Sequence, residues 1–134
     1  MGLVKDVSDS YESVGKGTIL IVDDSRMSRT MLRGIFERGG YTVVMEAANG
    51  EDGVEAYKKY LPDIVTLDIT MPKKDGISAL EEIMAFDPDA LVVMITAAGQ
   101  QDKLINALRI GARQFISKPY SEEEILFNIN SLLE

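Results

Sequence analysis

Apolar runs that end abruptly in acidic residues constrain this chain more than any other feature. Ile19-Leu20-Ile21-Val22 runs into Asp23-Asp24, and Ile64-Val65-Thr66-Leu67 runs into Asp68. Short, nearly continuous stretches of Ile, Val and Leu read as strands buried on both faces, the habit of a parallel sheet covered by helices. The carboxylates then sit where strands end. In an open α/β sheet ligand chemistry collects outside the carboxyl ends of the strands, so Asp23, Asp24 and Asp68 are expected to meet there. Hard oxygen ligands of this kind suit Mg²⁺, which takes one or two protein carboxylates and keeps positions for water and phosphate oxygens.

Two more polar residues follow the same rule. Thr96 closes Leu91-Val92-Val93-Met94-Ile95, and Lys118 closes Gln114-Phe115-Ile116-Ser117 before Pro119. Taken singly, each acid is a common turn former or helix cap, Thr96 a capping residue and Lys118 a solvated charge. Five polar groups at the ends of four strands are different. A hydroxyl and an ammonium facing acidic metal ligands make a pocket for a phosphoryl group.

The rest of the chain narrows the function classes. With 134 residues it holds one domain, and 46% hydrophobic residues is ordinary globular composition. The formal charge of −8 disfavours non-specific attraction to nucleic acid or an anionic membrane. Without cysteine or histidine, disulfides, thiolate zinc sites, a histidine base and a phosphohistidine on this chain are all excluded. No signal-peptide pattern or membrane-length apolar run occurs, and a cytoplasmic protein is expected.

Residues 1 to 16 lack periodicity and read as a flexible N-terminal tail, with the domain spanning 17 to 134. From Thr18 strand-like runs alternate with helical patterns. The first helix should follow Ser25 and carry Met27, Met31, Leu32, Ile35 and Phe36 at helical spacing, its methionines in the core. Another follows Asn49-Gly50, and a third, with Ile77, Leu80, Ile83 and Met84 on one face, follows Asp75-Gly76. A fourth carries Leu104, Ile105 and Leu108. The last runs from Ser121, with Ile125, Leu126, Ile129, Leu132 and Leu133 inward, and Ser121 with Glu124 forms a capping box. The small residues Ala97, Ala98 and Gly99 suggest a mobile loop beside Thr96.

From about Thr18 to Leu133 the chain resembles the CheY-like receiver domain of bacterial two-component response regulators, of the stand-alone type. The resemblance rests on Ile21-Val22-Asp23-Asp24-Ser25, Asp68-Ile69-Thr70-Met71-Pro72 with Asp75-Gly76 after it, Thr96-Ala97 and Lys118-Pro119. It implies an α/β, flavodoxin-like fold: a doubly wound five-stranded parallel sheet in the order 2-1-3-4-5, with helices on both faces. It implies that Asp68 takes a phosphoryl group from the phosphohistidine of a sensor histidine kinase. Mg²⁺ would be held by Asp24, Asp68 and the backbone carbonyl of Thr70, with Asp23 acting through a bound water. Lys118 would pair with the carboxylate and then with the phosphoryl oxygens, after a Lys-Pro peptide that is typically cis in the family.

The same resemblance assigns the switch to Thr96 and Phe115, and the partner surface to the last two helices and last strand, with Asn106, Arg109, Tyr120 and Phe127 as contacts. Phe115 stands where many members have Tyr. Thr70 and Ala98 occupy positions that influence aspartyl-phosphate hydrolysis in the family. Gly111-Ala112-Arg113-Gln114 lacks the paired acids of winged-helix members. The implied output is chemotaxis-type control or relay to a histidine phosphotransfer protein, by a chain that is monomeric or dimerises when phosphorylated. It would not be an enzyme beyond its own phosphorylation and dephosphorylation. Competing readings are an unphosphorylated receiver-like interaction module, the receiver fragment of a longer regulator, and a phosphatase of the haloacid dehalogenase type. The last wants an Asp where Thr70 stands, and it wants a cap domain.

Overall fold

The computed structural model describes residues 15–133. Among the described residues five strands alternate with five helices: β1 (Thr18–Val22), α1 (Arg26–Arg38), β2 (Thr42–Ala47), α2 (Gly50–Tyr60), β3 (Ile64–Leu67), α3 (Gly76–Phe86), β4 (Val92–Ala97), α4 (Gln101–Ile110), β5 (Gln114–Lys118) and α5 (Glu122–Leu132). The strands form one sheet in the order β2-β1-β3-β4-β5, with every neighbouring pair parallel. This is the expected 2-1-3-4-5 order.

Burial follows strand position. Ile19 to Val22 of β1 and all of β3 are buried, because each strand has neighbours on both edges and helices on both faces. The outer strands β2 and β5 keep exposed residues. Alternation along β1 splits the core. Leu20 and Val22 face a layer containing Val54 and Tyr57 of α2, Leu80 and Ile83 of α3, and Leu104 of α4. Ile19 and Ile21 face Leu32, Ile35 and Phe36 of α1 with Ile125 and Ile129 of α5. At about 25 cal/mol per Å² of apolar surface, this two-sided burial is the main force holding the strand ends in place.

The helix starts are set by side chains that accept backbone hydrogen bonds. Ser25, Asn49, Asp75 and Ser121 receive the N–H groups of Ser28, Asp52, Ser78 and Glu124 respectively. Gln100, ahead of α4, makes no such bond.

Two expectations about packing change. Met27 and Met31 are 75% and 53% exposed, so α1 buries only the narrower stripe of Leu32, Ile35 and Phe36. On α4, Ile105 and Leu108 are exposed, and Leu104 with Ala107 forms the inner face. Strand β4 also runs one residue past Thr96, to Ala97. The expected tail falls outside the described residues up to residue 14. Of its last two residues, Lys16 donates its N–H to the Gly40 carbonyl at 2.9 Å.

Candidate phosphoacceptor site

The sheet order places β1 beside β3, β3 beside β4, and β4 beside β5. Their carboxyl ends therefore form one rim, which carries Asp23, Asp24, Asp68, Thr96 and Lys118. Carboxylate oxygens of Asp23, Asp24 and Asp68 lie within 4.8 Å of one another. Asp23 is buried at 2% exposure, Asp68 is half-buried and Asp24 is open to solvent. Three carboxylates around a common point with one open side fit a hard, hydrated cation.

Asp23 is pinned at every polar group. Its N–H donates to the Ala47 carbonyl at 3.0 Å. Its Oδ1 accepts the Ser25 N–H at 2.8 Å, and its Oδ2 accepts from Lys118 Nζ at 3.2 Å. Its carbonyl accepts from Arg29 Nη1 at 2.8 Å. Lys118 Nζ also stands 3.6 Å from Asp68 Oδ2 and 3.4 Å from Ser28 Oγ. The peptide between Lys118 and Pro119 is cis.

Burial pushes the Asp68 carboxyl above the ordinary aspartate range; Lys118 pulls it back, Asp23 adds to the rise, and hydrogen bonds from the Thr96 hydroxyl and the Ile69 N–H oppose it. For Lys118 burial acts downward, but the charges of Asp23 and Asp68 prevail and hold the ammonium above its usual value. The result is a compact set of three carboxyl groups and one ammonium group, acidic groups outnumbering the basic one. Such an arrangement suits a hard cation.

The loop after Asp68 is held from both sides. Ile69 and Met71 are buried, which leaves Thr70 outside between them. Gly76 N–H donates to the Ile69 carbonyl at 2.6 Å, and a β-carbon on Gly76 would fall 2.0 Å from the carbonyl oxygen of Asp68. Glycine is therefore the residue that lets α3 start against the backbone of Asp68.

Thr96 is buried at 1% exposure, whereas Phe115, on the neighbouring strand, points outward with 46% of its surface exposed. Asn106, Arg109 and Phe127 are exposed and Tyr120 is half-buried. The sequence alone did not single out Arg29, Ser28 or Glu46. Arg29 and Arg33 share a helix face by their spacing, but their common partner Glu46 lies on another element.

The chain belongs to the response regulator receiver domain family, whose family model matches residues 19–130. It is 48% identical over 115 residues to chemotaxis protein CheY of Bacillus subtilis, covering 86% of this chain and 96% of that one. It is 46% identical over 114 residues to chemotaxis protein CheY of Thermotoga maritima, covering 85% and 95% respectively. Among solved structures, the CheX-CheY-BeF3-Mg²⁺ complex from Borrelia burgdorferi contains a chain that is 43% identical. That chain superimposes with a TM-score of 0.84, covering 87% of this chain and 89% of its own length.

Proposed function

We propose that this protein is a phosphorylation-activated response regulator, with Asp68 as acceptor of a phosphoryl group from the phosphohistidine of a sensor histidine kinase. The observation that carries the reading is the convergence of Asp23, Asp24, Asp68, Thr96 and Lys118 on one rim. An Asp68 oxygen attacks phosphorus. As the new P–O bond forms, the P–N bond of the donor breaks and its electron pair returns to the imidazole. Positioning and charge stabilisation are most of what the protein must supply to such a reaction.

Asp24, Asp68 and the Thr70 carbonyl would hold Mg²⁺, with Asp23 acting through water; the bound ion supplies neutralisation of the charge on the phosphoryl oxygens. Lys118, already between Asp23 and Asp68, turns to a phosphoryl oxygen once the acceptor charge is esterified. Thr96 transfers its hydrogen bond from the carboxylate to the phosphoryl group. Phe115 then turns inward from its exposed position. Moving such a switch from 1:99 to 99:1 takes about 5.5 kcal/mol, within reach of a few charge-assisted hydrogen bonds.

The output surface is the face of α4, β5 and α5, where Asn106, Arg109, Tyr120 and Phe127 are joined by the exposed apolar residues Ile105, Leu108 and Phe115. The chemotaxis names of the relatives support a chemotaxis-type effector as the partner. Among the described residues no helix is long and apolar enough to cross a membrane.

Intact mass after incubation with Mg²⁺ and acetyl phosphate tests this reading. One phosphoryl adduct is expected on the parent protein and none on Asp68→Asn or in the presence of a chelator. No adduct under conditions that label another receiver would replace it with an unphosphorylated interaction module.

A further inference from the structure

The residue that ties the clustered acids to the neighbouring edge strand β2 is Arg29. Its guanidinium is largely buried, with 16% of the side chain exposed, and it makes two directed contacts. Nη1 donates to the backbone carbonyl of Asp23 at 2.8 Å, and Nε pairs with Glu46 Oε1 at 3.3 Å. Glu46 lies on the outer strand β2, and its other oxygen accepts from Arg33 Nε. Arg33 in turn bonds Glu37 at 3.0 Å, which completes a charged ladder along α1. The Asp23 carbonyl belongs to the peptide that leads into Asp24. Asp24 is exposed and takes its placement from that peptide.

We propose that Arg29 is a positioning residue for the cation site: it fixes the Asp23-Asp24 peptide, with Glu46 holding the guanidinium in register. This inference rests on the reading of Asp23, Asp24 and Asp68 as the Mg²⁺ site. Arginine suits the task because its planar fork delivers two bonds in fixed directions, one to the carbonyl and one to the carboxylate. Partners behind metal ligands commonly govern affinity by orienting them.

Electrostatics and positioning predict opposite signs here. Arg29 is a cation close to a cation site, so deleting its charge should by Coulomb attraction alone tighten Mg²⁺ binding. Loss of positioning should weaken it. The test is an Mg²⁺ titration of the full chain followed by amide chemical shifts, with thermal melting of the same metal-free samples.

Arg29→Met is expected to weaken Mg²⁺ binding about tenfold, and Arg29→Lys, which keeps the charge and one bond, to weaken it less. Arg26→Met removes a neighbouring exposed charge of α1 that takes no part in the ladder, and should leave the affinity at or above that of the parent. The Lys variant carries the test if the Met variant does not fold. Affinity equal to or tighter than the parent's in both folded Arg29 variants overturns the proposal. So does an equal weakening in Arg26→Met. A parent protein that shows no Mg²⁺-dependent shifts would instead overturn the site reading itself.

Discussion

Lys118 holds its ammonium 3.2 Å from Asp23 Oδ2 and 3.6 Å from Asp68 Oδ2, so the buried acid, not the acceptor, is its nearer partner. In the proposed transfer Lys118 would thus stay anchored on Asp23 while its second contact follows the reacting group. Lys118→Ala should leave Asp68 able to bind metal but slow its labelling by acetyl phosphate about 10- to 100-fold, the equivalent of a charge-assisted hydrogen bond worth about 1.5–3 kcal/mol. The rate of adduct formation at saturating Mg²⁺ measures it. A rate within twofold of the parent would remove Lys118 from the transfer step.

Asp68 also sets a pH dependence of stability. Its carboxyl is raised above the ordinary value of 3.8, with burial as the chief cause, so the folded state binds the proton more tightly than the unfolded chain. As pH rises from 3.8 through the folded-state value the unfolded chain ionises first, and stability falls; above that window the full cost of the buried charge remains. Asp68→Asn removes the cost. In chelator, its melting midpoint should exceed the parent's at pH 7, and the difference should shrink as pH falls to about 3. A variant less stable than the parent at pH 7 would show that the ionised carboxylate is net stabilising.

Gly76 is irreplaceable for a reason of distance. The missing β-carbon would lie 2.0 Å from the Asp68 carbonyl oxygen, and both partners are backbone-anchored. Gly76→Ala is expected to cost about 1–3 kcal/mol, as overpacking does. It should also slow Asp68 labelling, because relief requires the acceptor strand end or the start of α3 to move. Urea unfolding and adduct formation report the two effects separately.

Thr66 carries a buried hydroxyl with no hydrogen-bond partner, on β3 two residues before Asp68. Replacing an unsatisfied buried hydroxyl by a methyl group of the same shape removes a desolvation cost. Thr66→Val should stabilise the fold by about 1 kcal/mol, which calorimetry would read as a rise of a few degrees. A lower midpoint would mean that the hydroxyl is engaged in solution.

Phe115 and Thr96 stand on adjacent strands, one exposed and the other buried. With 4-fluorophenylalanine at position 115, beryllofluoride and Mg²⁺ should shift the fluorine resonance and reduce its response to a soluble paramagnet. Thr96→Val should still take up the phosphoryl analogue but leave the resonance at its free position. An unchanged resonance in the parent would uncouple Phe115 from the site.

Much of this protein is legible along the chain because its strands are covered on both sides. The runs Ile19 to Val22 and Ile64 to Leu67 announce central strands by carrying apolar residues on both faces, and the acids that follow them fall at strand ends by simple counting. Ser25, Asn49, Asp75 and Ser121 cap helices through bonds that reach only three residues, so the chain itself contains the whole interaction. Periodicity was less reliable at the edges. Met27, Met31, Ile105 and Leu108 fit an apolar helical stripe, yet the faces that α1 and α4 bury are narrower, and these four side chains face solvent.

How the site is held depends on contacts between distant parts of the chain. The 3.2 Å contact between Lys118 and Asp23 joins residues 95 positions apart, and Arg29 reaches Glu46 across from α1 to β2. Local pattern determines which residue faces inward and which starts a helix, since those depend on neighbours within a turn. Distances between side chains on different strands depend on sheet order and register, and these emerge only when both core layers close around β1.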